Sequence, residues 1–334
     1  MNALEIISAP PVLSVQDTGR TGFRRFGVAL SGAMDQRALA LANALVGNAL
    51  DAAALELAYG SASFRAVDDP LPVALVGPGA VVELAGRVHA EGCSVVIAPG
   101  VQFTASAARD GVFSYLAVAG GIQTPLELGS RSFHLRSGIG GPALAVGDHL
   151  PCAETAHRPA LRLPEGDWRA ASGPIRFVPG PQQDRFTKEA QSTFASSPFT
   201  IGHRSDRMAL RLGGPFLSHS SGHDIVSDGV LPGSIQVPGD GQPIVLMRDC
   251  QTTGGYPKIG TVISADLDRL AQCPPGTAIT FKPVTQAEAI AAARSNAAGI
   301  ARIRTRIQPA PAIESSAYLL SQNLIGGVVS GSES

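Results

Sequence analysis

The chain has 334 residues, of which 44% are hydrophobic and 16% are charged, and its formal net charge is -1 at pH 7. This length corresponds to about two globular domains, and the apolar content is sufficient for their cores. The near-neutral charge excludes the strongly basic surface that attracts nucleic acids or anionic membranes, so we expect neither as a partner.

The N-terminal residues show no basic start followed by an apolar run, so they do not resemble a secretory signal peptide. No apolar segment approaches the roughly 18 residues of a membrane-spanning helix. The four cysteines show no paired spacing; they are Cys93, Cys152, Cys250 and Cys273. We therefore predict a cytoplasmic protein with reduced thiols, in which the cysteines act as small buried hydrophobes.

Short apolar runs recur along the chain between its 38 glycines and 25 prolines. The runs lie at 72–77, 80–85, 93–100, 101–106, 112–121, 175–180, 199–203, 208–214, 233–239, 243–247, 260–264 and 277–284. Many short strands separated by turn residues are typical of β-barrels and sandwiches, so the predicted fold is mainly β.

Three segments are predicted to be helical. The first, at 35–48, has Asp35 as its N-cap, and the second is a short helix at 264–276 that two prolines close. The third and longest follows Thr285, which forms a capping box with Glu288.

A polar, proline-bearing stretch at 152–173 separates two β-rich parts of the chain. It predicts an N-terminal half at 1–155, a C-terminal half at 174–305, and a tail at 306–334.

The segment "DCQTTGGYPKIG" at 249–260 concentrates hydrogen-bonding groups between two apolar runs. Adjacent Gly254 and Gly255 allow close approach of the backbone to a ligand, Thr252 and Thr253 add hydroxyls, and Lys258 adds a positive charge. Such a set can hold a carboxylate or a developing oxyanion. The alternative is an ordinary hairpin turn with Lys258 in solvent.

Two further polar clusters have structural interpretations. In the glycine-rich stretch 14–35, Asp17 and Arg20 would pair within a folded surface loop. In "RSDRMALRL", Arg204, Asp206 and Arg207 cluster before a strand and would form a strand-entry turn with a surface ion pair, which contributes little to stability.

Metal and nucleotide motifs are absent from the sequence. His219 and His223 have helical spacing, but the Ser-Ser-Gly between them disfavours a helix, so we predict loop histidines and no metal site. There is no G-x-x-x-x-G-K-[ST] motif, so ATP, if used, is expected to lie largely on another chain. The three lysines are not flanked by methionines, which argues against covalently attached biotin.

Several stretches, in this order, resemble the allophanate hydrolase subunit 2 family, also called biotin-dependent carboxyltransferase-like, which includes the C subunit of bacterial 5-oxoprolinase. The likeness runs from about residue 16 to residue 281. It rests on "VQDTGRTGFRRFGVALSGAMD", "ANALVGN", "LAVAGGI" with "LGSRSF", "PGPQQDRFT", "SDRMALRLGGP", "SDGVLPGSIQVPGDGQPIVLM" and "QTTGGYPKIGTVISADL".

The resemblance implies two cyclophilin-like β-barrel halves with a few short helices. It also implies a partner chain of the subunit 1 type, similar to the B subunit of 5-oxoprolinase, and a cleft shared with that partner. A third chain of the lactam-utilisation type, the A subunit, would complete the 5-oxoprolinase complex. We assign catalytic roles to Lys258, Thr252, Thr253 and Asp249. We assign substrate binding to Gly254, Gly255, Tyr256, Gln251, Asp228, Gln236 and Arg207.

The reaction implied by the resemblance is the ATP-dependent opening of the 5-oxoproline lactam to glutamate. ATP would activate the poorly electrophilic carbonyl, and donors placed around the charged oxygens would supply catalysis. Asp249 or Asp228 would orient water. Two alternatives stay open: a carboxyltransferase that receives carboxybiotin from a separate carrier and acts on a urea-like substrate, and a binding module that regulates a kinase-inhibitor-like partner.

Overall fold

The computed structural model describes residues 2–154, 159–164 and 172–310. The predicted link at 152–173 and the predicted tail at 306–334 lie partly outside these ranges, so the proposed domain limits stay predictions.

Eleven strands precede residue 152 in the described part of the chain. They are β1 (Ala3–Ser8), β2 (Val12–Gln16), β3 (Ala54–Ala58), β4 (Ser61–Ala66), β5 (Leu71–Val76), β6 (Val81–Leu84), β7 (Arg87–Ala90), β8 (Ser94–Ile97), β9 (Gln102–Ser106), β10 (Phe113–Val118) and β11 (His149–Pro151). They form a six-stranded sheet in the order β11-β1-β4-β9-β6-β7 and a five-stranded sheet in the order β2-β3-β10-β5-β8.

These two sheets share one hydrophobic core. In β4, alternate residues such as Phe64 are buried against the other sheet, which is the pattern of a strand with one covered face. In contrast, every residue of β5 and β10 is buried, because the five-stranded sheet is covered on both faces. The residues on its second face, including Val76 and Tyr115, belong to a larger core that extends into the C-terminal part.

The remaining strands lie C-terminal to residue 160. They are β12 (Leu161–Arg162), β13 (Ile175–Pro179), β14 (Phe199–Ile201), β15 (Ala209–Gly213), β16 (Asp228–Gly229), β17 (Ser234–Gln236), β18 (Ile244–Leu246), β19 (Thr253–Gly254), β20 (Lys258–Val262), β21 (Ala278–Ile279), β22 (Phe281–Pro283) and β23 (Gln308–Pro309). Eight of them form one sheet in the order β21-β14-β15-β18-β17-β20-β13-β22.

This eight-stranded sheet is a nearly closed barrel. Its two edge strands, β21 and β22, are consecutive in the chain and only Thr280 separates them, so the two edges are brought together. Aromatic rings fill the interior: Phe194 stacks on Phe281 with centroids 4.4 Å apart, and Phe177 meets Phe194 edge-on at 5.1 Å. Such packing adds to the stability that the buried apolar area provides.

Four α-helices occur in the described residues. They are α1 (Gln36–Leu45), α2 (Lys188–Ser196), α3 (Ser264–Ala271) and α4 (Gln286–Arg304). Asp35 accepts a hydrogen bond from Ala38 N at the start of α1, and the Thr285–Glu288 capping box opens α4. No helix in the described part of the chain is long and apolar enough to cross a membrane.

The predicted mainly β fold is confirmed, and each predicted apolar run overlaps at least one strand. The three predicted helices are also present. The sequence did not predict α2, because only Ala190 and Phe194 are buried in its nine residues and the apolar periodicity is correspondingly weak. The cysteines are free thiols; Cys152 and Cys250 are buried as predicted, whereas Cys93 and Cys273 are half-buried.

Two buried carboxyl groups meet at the N-terminus of α1. Asp268 of α3 accepts hydrogen bonds from Gln36 N (3.1 Å) and Arg37 N (3.3 Å), beside the capping Asp35. Burial, and secondly the charge of Asp268, raise the pKa of Asp35 to about 7. The pKa of Asp268 is also raised by burial. The helix N-terminus favours negative charge, but burying two carboxylates together opposes it.

This pair predicts that stability falls as the pH rises. The folded protein keeps a proton on Asp35 up to about pH 7, whereas the unfolded chain loses it at about pH 3.9. Between these values the folded state binds more protons, so the free energy of unfolding decreases with increasing pH. Urea denaturation at several pH values should show this slope, and Asp268→Asn should flatten it. The control is Asp51→Asn at an exposed position, which should keep the slope of the wild type. If Asp268→Asn also keeps that slope, the assignment of the pH dependence to this pair is wrong.

Candidate functional site

The segment at 249–260 forms a short β-ribbon over the barrel. Its strand β19 pairs with β16, and flanking hydrogen bonds run from Val230 N to Thr252 O (3.1 Å) and from Ile225 N to Gly255 O (2.9 Å). We call β16 and β19 together the β16–β19 ribbon. The segment is therefore not a plain hairpin turn between the two strands that flank it, because its partner strand lies more than 20 residues earlier.

Lys258 is buried. It begins β20, and its neighbour Ile259 belongs to the barrel core, so the Lys258 side chain lies on the outer face of the sheet. The residue is only 4% exposed, and Nζ donates to Asp228 Oδ2 at 2.7 Å. The interpretation that placed Lys258 in solvent is therefore wrong, because the β16–β19 ribbon covers it.

Gln182 completes the surroundings of this ion pair. Its Nε2 donates to Asp228 Oδ2 at 3.2 Å, and its Oε1 accepts from Lys258 N at 3.3 Å. The hydrogen bond from Lys258, and then those from Gly229 N and Gln182, lower the pKa of Asp228. Gln182 lies in "PGPQQDRFT", one of the motifs that carry the family resemblance, but the sequence did not predict it as a site residue.

Gln236 is the cross-strand partner of Lys258 between β17 and β20. It is 3% exposed, and its Nε2 has no hydrogen-bond acceptor among the described residues. A Cβ atom on Gly254 would overlap this nitrogen, so a larger residue there requires the Gln236 amide to move. At Gly255 the nearest atom would be 3.6 Å away, an ordinary contact, and this residue does not have positive φ.

Lys258, Asp228, Gln182, Gln236 and Gly254 thus form one compact group, which we call the Lys258 cluster. The other predicted residues of the segment lie around it. The Thr252 carbonyl holds the ribbon, while Gln251, Thr253 and Tyr256 are exposed. The geometry therefore brings together a buried cation, an unpaired amide donor and a half-exposed carboxylate.

Arg207 and Asp249, which the sequence also assigned to the site, lie elsewhere. Arg207 Nε and Nη2 donate to the two carboxylate oxygens of Asp249 at 2.8 and 2.9 Å. Arg207 Nη1 donates to Glu56 Oε1, and Nη2 also donates to Gly32 O. The predicted surface ion pair is wrong for Arg207; Asp206 instead accepts from Met208 N and Ala209 N.

Glu56, in β3, is a residue that sequence reasoning missed. It is fully buried, and its Oε2 accepts from Met34 N (2.9 Å) and from the Tyr115 hydroxyl (2.7 Å). Burial lowers the pKa of Arg207, but Glu56 and Asp249 outweigh it, so the net shift is upward. Burial, and then Glu56, raise the pKa of Tyr115. Because Arg207 joins residues of both parts, we call Glu56, Arg207 and Asp249 the junction triad.

The loop between β2 and α1 also contacts both parts. Asp17 accepts from the hydroxyls of Ser130 (2.6 Å) and Ser132 (2.5 Å), and Arg20 Nε donates to Glu127 O. Both residues are buried, so the interpretation as a surface loop held by an Asp17–Arg20 pair is wrong. Arg24, which the sequence analysis did not select, donates through Nη2 to Val230 O (2.5 Å) and Gln251 O (2.9 Å).

A cavity of about 560 Å³ lies between the two parts, next to the junction triad. Its walls are mostly apolar and include Val112, Phe113 and Leu210, with Arg207 and Asp249 as part of its polar lining. Both of these charged groups are paired with each other, and no residue of the Lys258 cluster lines the cavity. The cavity and the Lys258 cluster are therefore separate features of the structure.

The two histidines with helical spacing have other partners. His219 Nε2 is 3.0 Å from Val237 O, and His223 Nε2 is 3.3 Å from Asp224 Oδ2. Among the described residues, no group of three or more His, Cys, Asp and Glu side chains is arranged to hold a metal ion.

Comparisons with known proteins agree with this architecture. A model of the family described as carboxyltransferase domain, subdomain A and B, matches residues 26–283. The chain is 40% identical over 292 residues to the 5-oxoprolinase C subunit of Escherichia coli, covering 86% of this chain and 94% of that protein. It is 35% identical to the 5-oxoprolinase C subunit of Haemophilus influenzae, covering 90% of this chain and 97% of that protein.

A solved structure extends the likeness to a larger enzyme. The Kluyveromyces lactis urea amidolyase superposes with a TM-score of 0.82 at 26% identity, over 90% of this chain and 20% of that chain. This chain therefore corresponds to about one fifth of that enzyme.

The junction triad predicts a large loss of stability when its cation is removed. Arg207→Met would leave Glu56 and Asp249 buried without a counter-ion, and breaking a buried pair in this way costs about 3–5 kcal/mol. Urea denaturation should show this decrease relative to Arg211→Met, an exposed arginine on β15. If both variants lose the same small amount, the triad does not carry the contact between the two parts.

Proposed function

The chain belongs to the family of carboxyltransferase domains with subdomains A and B, as its motifs indicated, and we propose that it is the C subunit of an ATP-dependent 5-oxoprolinase. The observation that carries this proposal is the 40% identity to the Escherichia coli C subunit over 94% of that protein. The two 5-oxoprolinase C subunits are matched over nearly their whole length, whereas the urea amidolyase is matched over one fifth of its chain. The C subunits therefore give stronger support for a shared activity.

In this proposal the Lys258 cluster receives the charged oxygens of the substrate. 5-Oxoproline carries a carboxylate beside its lactam, and preorganised donors hold such a charged group most effectively where water is excluded. Lys258 Nζ and Gln236 Nε2 are donors of this kind, since both are buried and both are fixed on strands of the barrel. Thr253 lies in β19 and Thr252 directly precedes it, and the two threonines complete the predicted set.

Asp228 is the carboxylate nearest to these donors, with Oδ2 at 2.7 Å from Lys258 Nζ. It is half-exposed, so it can contact water that enters from the surface of the ribbon. Asp249 is held by both its oxygens on Arg207, and this geometry favours Asp228 over Asp249 as the group that orients water.

ATP, which would activate the lactam carbonyl, is proposed to be bound largely by a partner chain. Phosphates often bind at helix N-termini. In this chain α3 has no side-chain cap, but Asp266 places a carboxylate in its first turn. The first turns of α1, α2 and α4 are occupied by their own caps, which are Asp35, Thr187 and the Thr285–Glu288 box. Two of these caps bring a carboxylate, which repels phosphate.

A partner of the subunit 1 type, and a third chain of the lactam-utilisation type, would complete the enzyme. Apolar side chains surround the ribbon at the surface: Phe26, Val226, Leu231 and Tyr256 are all exposed. The hydrogen bonds of Arg24 to Val230 and Gln251 link the loop that carries Phe26 to the ribbon. We place the proposed partner on this face, because exposed apolar groups in this arrangement are typical of protein interfaces.

Carboxyl transfer to a urea-like substrate is the second candidate, and the superposition on urea amidolyase favours it. The same donors would then face a carboxyl group delivered by a separate biotin carrier. Product analysis of the reconstituted complex distinguishes the candidates: glutamate formed from 5-oxoproline without a biotin carrier supports lactam opening, and carrier-dependent carboxylation supports the alternative.

We expect Lys258→Met to reduce kcat/KM of the reconstituted complex by about a hundredfold, because the substrate carboxylate loses its buried cation and a hydrogen bond to a charged group is worth about 1.5–3 kcal/mol. Steady-state glutamate formation measures this effect. The matched control is Lys188→Met, because Lys188 is exposed at the start of α2 and should turn over normally. Circular dichroism must show that the Lys258 variant is folded, since its side chain is buried. Normal turnover by a folded Lys258→Met protein would exclude Lys258 from the reaction.

The partner proposal predicts that this chain co-elutes with a subunit 1 type protein at micromolar concentration. Val226→Asp places a charge on the proposed face and should weaken the complex, because unpaired charges disfavour an apolar interface. Val88→Asp, at an exposed position on β7, serves as the control. Separate elution of the wild-type proteins, or equal loss of binding in both variants, would remove the basis for this placement.

A further inference from the structure

The Lys258 cluster holds two buried hydrogen-bond donors, of which one has an acceptor in the described part of the chain and the other has none there. Lys258 Nζ has three N–H bonds and meets one carboxylate oxygen, that of Asp228 at 2.7 Å. Gln236 Nε2 has no acceptor among the described residues although its residue is 3% exposed. An unsatisfied buried donor is unfavourable, so a ligand that supplies an acceptor at this point is favoured.

The ion pair itself is asymmetric. The Lys258 side chain is 5% exposed, whereas that of Asp228 is 51% exposed. A buried ammonium depends on a counter-ion far more than a half-exposed carboxylate does, because only the ammonium has lost its water. The lysine position is therefore fixed, and the aspartate is the partner that can be replaced.

The backbone allows this replacement. Lys258 and Gln236 lie on paired strands of the barrel, whereas Asp228 lies on a strand of two residues that pairs only with β19 in the described part of the chain. Residues 226–229 are all exposed, so withdrawal of Asp228 leaves the barrel hydrogen bonds intact.

The chemistry of the two donors specifies their ligand. A carboxylate suits this pair of donors, because one of its oxygens can accept from the ammonium and the other from the amide, and its charge matches that of the lysine. Cross-strand side chains on one face of a sheet have Cβ atoms about 5 Å apart, which a carboxylate can bridge. A carboxylate already meets Lys258 in this position, since Asp228 supplies one.

We infer that Asp228 stands in for the carboxylate of a small carboxylic acid, which binds by displacing Asp228 from Lys258 and by placing its second oxygen on Gln236 Nε2. Asp228 is then an internal competitor that weakens binding and gives selectivity for acids able to displace it. The identity of the natural ligand, 5-oxoproline, rests on the proposed function; the displacement itself does not.

Calorimetric titration of the full chain with sodium 5-oxoproline tests this inference. Asp228→Asn removes the competing carboxylate, so the dissociation constant should fall roughly tenfold, as expected when an occupied site becomes available. The lactam 2-pyrrolidinone, which lacks the carboxylate, should bind both proteins equally weakly. Asp224→Asn, an exposed aspartate on the same segment, is the matched control and should bind as the wild type does.

Gln236→Glu provides a second variant of nearly unchanged shape. It replaces the amide donor by a carboxylate, so 5-oxoproline should bind at least about tenfold more weakly than to the wild type. The inference is overturned if Asp228→Asn binds 5-oxoproline no more tightly than the wild type does, or if Gln236→Glu binds it as tightly as the wild type. It is also overturned if no variant binds a carboxylate.

Titration with bicarbonate and acetate separates this inference from the proposed function. If Asp228→Asn binds these acids more tightly while the reconstituted complex does not open 5-oxoproline, the displacement stands and the proposed function fails. If the complex forms glutamate but Asp228→Asn has no effect on binding, the proposed function stands and the displacement fails.

Discussion

The guanidinium of Arg207 is the contact on which the relation between the two β-rich parts depends. It lies between Glu56 of the five-stranded sheet and Asp249 at the exit from β18, and its third acceptor is Gly32 O in the loop before α1. Apolar packing alone is non-directional and would tolerate sliding of the barrel over the sheet. A guanidinium that donates to three different segments in fixed directions fixes their relative position.

This constraint also determines where the β16–β19 ribbon lies. Asp249 is the first residue of the segment 249–260, and its N donates to Arg207 O, so the start of the segment is held by both backbone and side chain. Its end is held at Lys258, where β20 begins. Arg24 adds a contact at Gln251 from the N-terminal loop. The segment between these points can therefore carry exposed polar residues while its two ends stay fixed.

Local chemistry made much of the fold predictable from the sequence. The N-cap Asp35 and the Thr285–Glu288 capping box are defined by neighbouring residues, so they identified helix starts correctly. The surroundings of Lys258 could not be predicted in the same way. Whether a lysine is buried depends on a counter-ion, and Asp228 lies 30 residues away and on a different strand pair. Glu56 was missed for the same reason, because its partner Arg207 is 151 residues distant.

The predicted site residues divide into two groups with different physical roles. In the junction triad every charge is paired and the two carboxylates are buried, which suits a rigid support. In the Lys258 cluster the donors are rigid and buried, while their counter-ion is half-exposed on a short ribbon. A site that must exchange ligands needs fixed donors and a replaceable acceptor. The first group therefore holds the scaffold, and the second offers the chemistry that a small anionic substrate requires.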